Sequence, residues 1–171
     1  GPEGERLGRN ERHMVAYTAL VLAETIGPVD QDWRDAGEVL ESQGHPQEAI
    51  QLYVTAALQG ESDAYTRLTA FGLDTERLML GVYTALPADH QARLPLHAWL
   101  VDGGGMATVR VFADRVSRAD ADERGLTLTA LGVMVRSGRL STGAASAARA
   151  RIERSMNDPD ERVSALAKAT Y

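Results

Sequence analysis

Apolar residues recur three and four positions apart along nearly the whole chain, in runs of about 11–17 residues separated by short breaks. No alternation of polar and apolar residues is sustained. The nearest case, "VRVFADRV" from Val109 to Val116, places Val109, Phe112, Ala113 and Val116 on one helical face. The pattern predicts helices over 11–26, 31–43, 46–59, 62–71, 74–86, 89–102, 105–118, 121–137, 141–156 and 159–170. The expected fold is all-α, a solenoid-like array of antiparallel helix pairs with about nine or ten short helices.

The breaks carry helix-end chemistry. Gly44 ends one helix and Pro46 starts the next. Asp120 with Glu123, and Asp158 with Glu161 across Pro159, have capping-box spacing, in which carboxylates satisfy the free amides of a first turn. Asn10, Asp30, Ser62, Asp74 and Ser141 are further caps. Pro95 falls inside the segment 89–102, which must kink there or restart with Pro95 in its first turn. No long linker or low-complexity tract divides the chain, so a single domain over 3–171 is expected. Gly1-Pro2 resembles a tag-cleavage scar and is set aside.

The stretch "WRDAGEVLESQGHPQEAIQLYVTAALQGESDAYTRL", Trp33 to Leu68, pairs small residues with bulky ones. Trp33, Ala36, Gly37 and Leu40, then Gly44, then Ala49, Tyr53 and Ala56 stand at the spacings of a tetratricopeptide repeat. The match covers residues 30–68, with Glu61 where the repeat has its terminal Pro. The continuation "AALQGESDAYTRL" resembles the Sel-one-like variant. A degenerate copy lies at about 125–158, carried by Leu128, Leu131, Gly132, Val135, Ala144 and Ala148, and "DPDERVSALAKA" resembles a HEAT-type helix start.

The resemblance implies that Gly37 and Ala49 let two backbones approach while Trp33, Leu40 and Tyr53 fill the space around them. Each pair must then stack on the next. It also implies a binding surface lined by the first helix of each pair. Trp33, Ala36, Gly37 and Leu40 would face inward. Arg34, Glu38 and Glu41 would face the groove, with Thr129, Val133 and Arg136 on the corresponding side of the helix over 121–137.

Charge refines this picture. The net charge is −6, but residues 1–87 carry −8 and residues 88–171 carry +2. The acidic half predicts a basic protein or peptide ligand. Lys168 is the single lysine among 18 basic residues, which fits the codon bias of a bacterial genome. Arg136, Arg139, Arg149, Arg151 and Arg154 make the best nucleic-acid feature. Arg149 and Arg151 lie on different sides of a helix, however, and no aromatics interleave for base stacking. The apolar helix over 11–26 offers a homodimer contact.

Little else points to chemistry. Cysteine is absent, so disulfides and cysteine nucleophiles are excluded. Asp30, Asp32 and Glu41 stand at first, third and last calcium-loop spacings. Arg34 and Asp35 break that motif, and the residues read as a helix start. No two of His13, His45, His90 and His97 are three or four apart, so no metal is expected. The triplet Gly103-Gly104-Gly105 lacks the spacing of a phosphate loop and reads as an inter-helix turn and hinge. No nucleophile with its base is identifiable, so no catalytic residue or cofactor is assigned. No run approaches the ~20 apolar residues of a membrane span. The missing leader pattern favours the cytoplasm, with the proviso that processing at a tag scar would also have removed a signal or flanking domain. The reading is a helical-repeat module that binds a protein or peptide as an adaptor. Nucleic-acid binding and self-association are its alternatives.

Overall fold

The structure, a computed structural model, describes residues 28–71 and 73–171. The expected helix over 11–26, and the homodimer contact assigned to it, lie outside these residues. Among the described residues there are nine α-helices and no strands: α1 Trp33–Ser42, α2 Pro46–Leu58, α3 Ser62–Thr69, α4 Leu73–Ala85, α5 Arg93–Gly103, α6 Met106–Arg118, α7 Ala121–Arg136, α8 Thr142–Ser155 and α9 Glu161–Thr170. They fall into two compact units that divide after Trp99.

Helix ends follow the chemistry of their residues. Gly44, at φ 80, turns the chain out of α1, where His45 N–H reaches the Leu40 carbonyl at 2.8 Å. A side chain there would strain the left-handed backbone. Asp120 accepts from the Glu123 amide, and Ser141 from the Ala144 amide. Pro95 sits in the first turn of α5, where its missing N–H costs nothing, so the segment restarts rather than kinks. Four expected caps differ. Asp74 lies inside α4, which starts at Leu73. Asp160, not Asp158, caps α9 through the Arg162 and Val163 amides. Ser62 is the first residue of α3, whose cap position is Glu61. Asp32 precedes α1 and makes no side-chain cap, while Asp30 accepts from the Asp32 amide at 3.2 Å.

In the first unit, α2 packs against both α1 and α3. Residues 53–58 of α2 are buried on every side. Tyr53 is fully buried, edge-on to Trp33 with centroids 6.0 Å apart and tilted against Phe71 at 6.2 Å. Its ring occupies the space where residue 37 would carry a Cβ, so only glycine fits there. The close approach thus joins Gly37 to an aromatic ring. Ala36 is exposed and Leu40 half-buried, so the inward face of α1 is Trp33, Gly37 and Leu40. Trp99 of α5 donates its indole N–H to the Tyr65 carbonyl and to Thr69 Oγ1, both at 3.1 Å, tying α5 to α3.

The second unit is built from α6 to α9. Helix α7 packs against α6, α8 and α9, and α8 also touches α6 and α9. Phe112, Leu128, Leu131, Met134, Ala144, Ala148 and Ile152 are buried at 2 % exposure or less. The two alanines let α8 lie close to its neighbours.

Placing a methyl at position 37 must displace the Tyr53 ring. Gly37→Ala is expected to lower stability by about 2 kcal/mol, the scale of overpacking a tight core. Gly143→Ala faces only Met106 Cε at 3.5 Å and should raise stability by about 0.5 kcal/mol through helix propensity. Urea unfolding of both variants checks the contrast.

Candidate functional site

The charged residues of α1 are engaged within the first unit. Arg34 pairs with Asp63 of α3 and lies 5.2 Å from the Trp33 ring centre. Glu38 pairs with Arg67. Glu41 accepts a 2.6 Å hydrogen bond from the Tyr53 hydroxyl. Burial, reinforced by the Glu41 carboxylate, pushes that hydroxyl well above the ordinary tyrosine range, so it stays a donor. The two ion pairs are about half exposed and worth ~0–1 kcal/mol each. Their effect is mainly to hold Arg34 and Glu38 against α3. Glu41, read at the last position of a calcium loop, is likewise taken by Tyr53.

Helix α7 presents a different surface. Thr129, Val133 and Arg136 are exposed on one side with Leu126. Leu126 is 38 % and Val133 42 % exposed, although α7 buries its opposite face. A shallow groove of about 230 Å³ runs beside Leu126 and Thr129 of α7, floored by Gly125 and walled on the other side by Val163 and Leu166 of α9. Asp122 and Arg162 stand at one end, 3.9 Å apart. Thr129 Oγ1 is turned to the Gly125 carbonyl, and Arg136 Nη1 lies 3.5 Å from the Thr170 carbonyl. Gly132 keeps α9 close, because a Cβ there would meet Thr170.

The five arginines of the basic segment separate into distinct roles. Arg139 donates to the Gly104 carbonyl at 2.8 Å and the Val101 carbonyl at 3.1 Å, capping the end of α5 with a cation. Arg136 lies over the end of α9. Arg149, Arg151 and Arg154 make no ion pair among the described residues. Arg149 and Arg154 are exposed, and the Arg151 Nε is buried without a hydrogen-bond partner.

Arg124, which the sequence did not single out, makes a two-pronged ionic contact with a buried carboxylate. Its Nε and Nη2 grip both oxygens of Asp158 at 3.0 Å, and its Nη1 donates to the Ala119 carbonyl at 2.8 Å. The Asp158 side chain is 8 % exposed. Its burial alone would raise its pKa. The Arg124 hydrogen bonds and the Asp160 amide outweigh that and hold the carboxyl below its ordinary value. Asp158 was expected as a cap, and only the folded chain brings Arg124, 34 residues away, beside it.

A buried polar cluster lies in the first unit. The Tyr83 hydroxyl and His97 Nδ1 are 3.0 Å apart, and Arg93 stacks on Tyr83 at 4.9 Å while donating to the Leu86 carbonyl. His90 Nδ1 accepts from the Ala92 amide, a local turn contact. No group of three His, Cys, Asp or Glu that could hold a metal occurs among the described residues. No described helix is long and apolar enough to cross a membrane. The glycine triplet forms the turn between α5 and α6. Gly103 ends α5, Gly105 precedes α6, and buried Gly104 bonds the Leu100 carbonyl at 2.7 Å with Thr108 filling the place of a Cβ. No protein-family model, curated protein or solved structure matches the chain.

Breaking the Arg124–Asp158 pair leaves a buried charge without its partner. Arg124→Met is expected to cost about 3 kcal/mol. A carboxylate favoured by folding contributes stability above its ordinary pKa of ~4 and loses it as the pH falls through the lowered one. Chemical unfolding followed from pH 6 down to pH 2 should therefore fall more steeply in the native protein than in Asp158→Asn. Parallel curves would contradict this assignment.

Proposed function

We propose that this chain is a helical-repeat module that binds a protein or peptide, with the α7–α9 face as its docking surface. The observation that carries the reading is the pair Leu126 and Val133, exposed two turns apart on a helix that buries its opposite face, with Leu126 lining a groove. An apolar side chain of a ligand would fill the groove, as in helix-in-groove recognition, with Asp122 and Arg162 at the rim. The α1 residues Arg34, Glu38 and Glu41 recede as direct contacts, because binding through them would first break their internal pairs. The pull toward a basic ligand weakens accordingly.

Side-chain to backbone hydrogen bonds support the repeat architecture. Trp99 reaches Tyr65, and Arg136 reaches Thr170, each across 34 residues; the Arg124–Asp158 pair spans the same distance. That separation equals the length of a tetratricopeptide unit. Stacking α8 on α6 and α9 on α7 adds to the same reading.

A photo-crosslinking amino acid at position 133 tests the proposal, with one at exposed Glu153 of α8 as control. The expected outcome is a discrete crosslinked partner from position 133 alone, lost in Leu126→Glu while the circular dichroism is unchanged. Equal capture from position 153, or capture that survives Leu126→Glu, would overturn it.

A further inference from the structure

One stripe of exposed residues runs the length of α7. Asp122, Leu126, Thr129, Val133 and Arg136 follow one another at spacings of three or four, so they share one side of the helix, and all five are exposed. Their order is symmetric about the centre. Thr129 is the midpoint. Leu126 stands three residues before it and Val133 four after it, and the opposite charges of Asp122 and Arg136 stand seven to either side. Both charges keep capacity for a partner. The Asp122 side chain is 93 % exposed and 3.9 Å from Arg162, and Arg136 Nη1 makes one long contact of 3.5 Å with the Thr170 carbonyl. The neighbouring helix extends the same polarity. The start of α9 brings Asp160, Glu161 and Arg162 beside Asp122, and its last turn, near Arg136, brings Lys168. The face thus has an acidic end, an apolar middle and a basic end.

We infer that this stripe docks on its own counterpart in a second copy of the chain, about a two-fold axis at Thr129. The inference rests on the reading of the α7–α9 face as a docking surface and names its partner. In a two-fold interface residue i meets residue j of the mate, and j meets i. With the two α7 helices antiparallel and Thr129 on the axis, position 122 faces position 136 and position 125 faces position 133. Asp122 of each copy then meets Arg136 of the other, and Leu126 packs beside the other copy's Val133. That Val133 comes over Gly125, the floor of the groove, and supplies the apolar side chain that fills it. A parallel pairing would instead set Asp122 against Asp122 and Arg136 against Arg136, which repel. The charged pairs stand about 10 Å along the helix from the axis, at 1.5 Å per residue. Both close only at a shallow crossing of about 20°, the angle of ridges packed as in a helical bundle. A contact of one helix per copy plus the α9 wall falls below the ~1,200 Å² of a standard interface, so the association is weak and concentration-dependent.

The chain has no cysteine, so a single introduced thiol reports the axis. A residue on a two-fold axis faces itself. Thr129→Cys should therefore oxidise to a disulfide-linked dimer about tenfold faster than Glu153→Cys, at an exposed position of α8. Sedimentation velocity of the full chain, from about 10 μM to about 1 mM, should show a monomer–dimer equilibrium. Arg136→Asp sets like charges opposite each other at both ends and should weaken that equilibrium about tenfold. Adding Asp122→Arg to it exchanges the pair and should restore association. Both positions are exposed, and circular dichroism checks that each variant keeps the fold. A chain monomeric throughout that range, equal oxidation at 129 and 153, or a double variant as weak as Arg136→Asp alone would overturn the inference. A monomeric chain whose position 133 still captures another protein, in a manner lost in Leu126→Glu, would overturn the self-docking and leave the docking face standing. Loss of both would overturn the wider reading as well.

Discussion

A tyrosine ring lying where residue 37 would carry a side chain fixes the pairing of α1 and α2. Gly37 is the only residue type that admits Tyr53 at that depth. Once seated, the ring meets Trp33 and Phe71, and its hydroxyl reaches Glu41. That contact also sets the rotation of α1. Arg34 and Glu38 then fall over α3, where Asp63 and Arg67 meet them. One steric requirement thus determines which charges on α1 are engaged within the chain.

In the second unit, helix α7 carries two exposed apolar side chains, Leu126 and Val133. Helix α7 is anchored at its start by Arg124 on Asp158 and by Glu123 on Arg115. Gly132 admits Thr170 near its end. With three sides committed, its remaining side presents Leu126, Thr129 and Val133. An apolar stripe held on a rigid helix would cost little ordering entropy if a ligand docked there, as proposed above. Two basic residues nearby serve the structure: Arg139 closes the end of α5 and Arg124 pins a loop.

Local features were legible in the sequence, and distant partnerships were not. Periodicity located all nine described helices, because apolar spacing records which face each helix buries. Asp120, Ser141, Gly44 and Pro46 act at the ends assigned to them, since a cap bonds residues two or three positions away. Ala36 was assigned inward because its spacing matched a repeat, yet the Gly37–Tyr53 contact rotates it to solvent. Asp158 has cap chemistry and accepts from the Asp160 amide, but both its oxygens are also held by an arginine 34 residues away, and Asp160 caps the helix. The Arg139 cap of α5 and the Tyr83–His97 bond inside the first unit likewise depend on tertiary placement. Thr129, Val133 and Arg136 were expected on an outward side and are exposed there, because α7 is long enough for its period to set its orientation. Leu126, on the same side, was missed as one more apolar residue in a periodic run.

The dependence of the first helix pair on steric exclusion at position 37 is open to a direct measurement. In a double-mutant cycle, urea unfolding is compared for Gly37→Ala, Tyr53→Leu and the two together. Removing the ring should make room for the new methyl. The double variant is expected to be more stable than the sum of the single losses implies, by at least about 1 kcal/mol. Additive losses would show that Tyr53 does not occupy that space and would contradict the account.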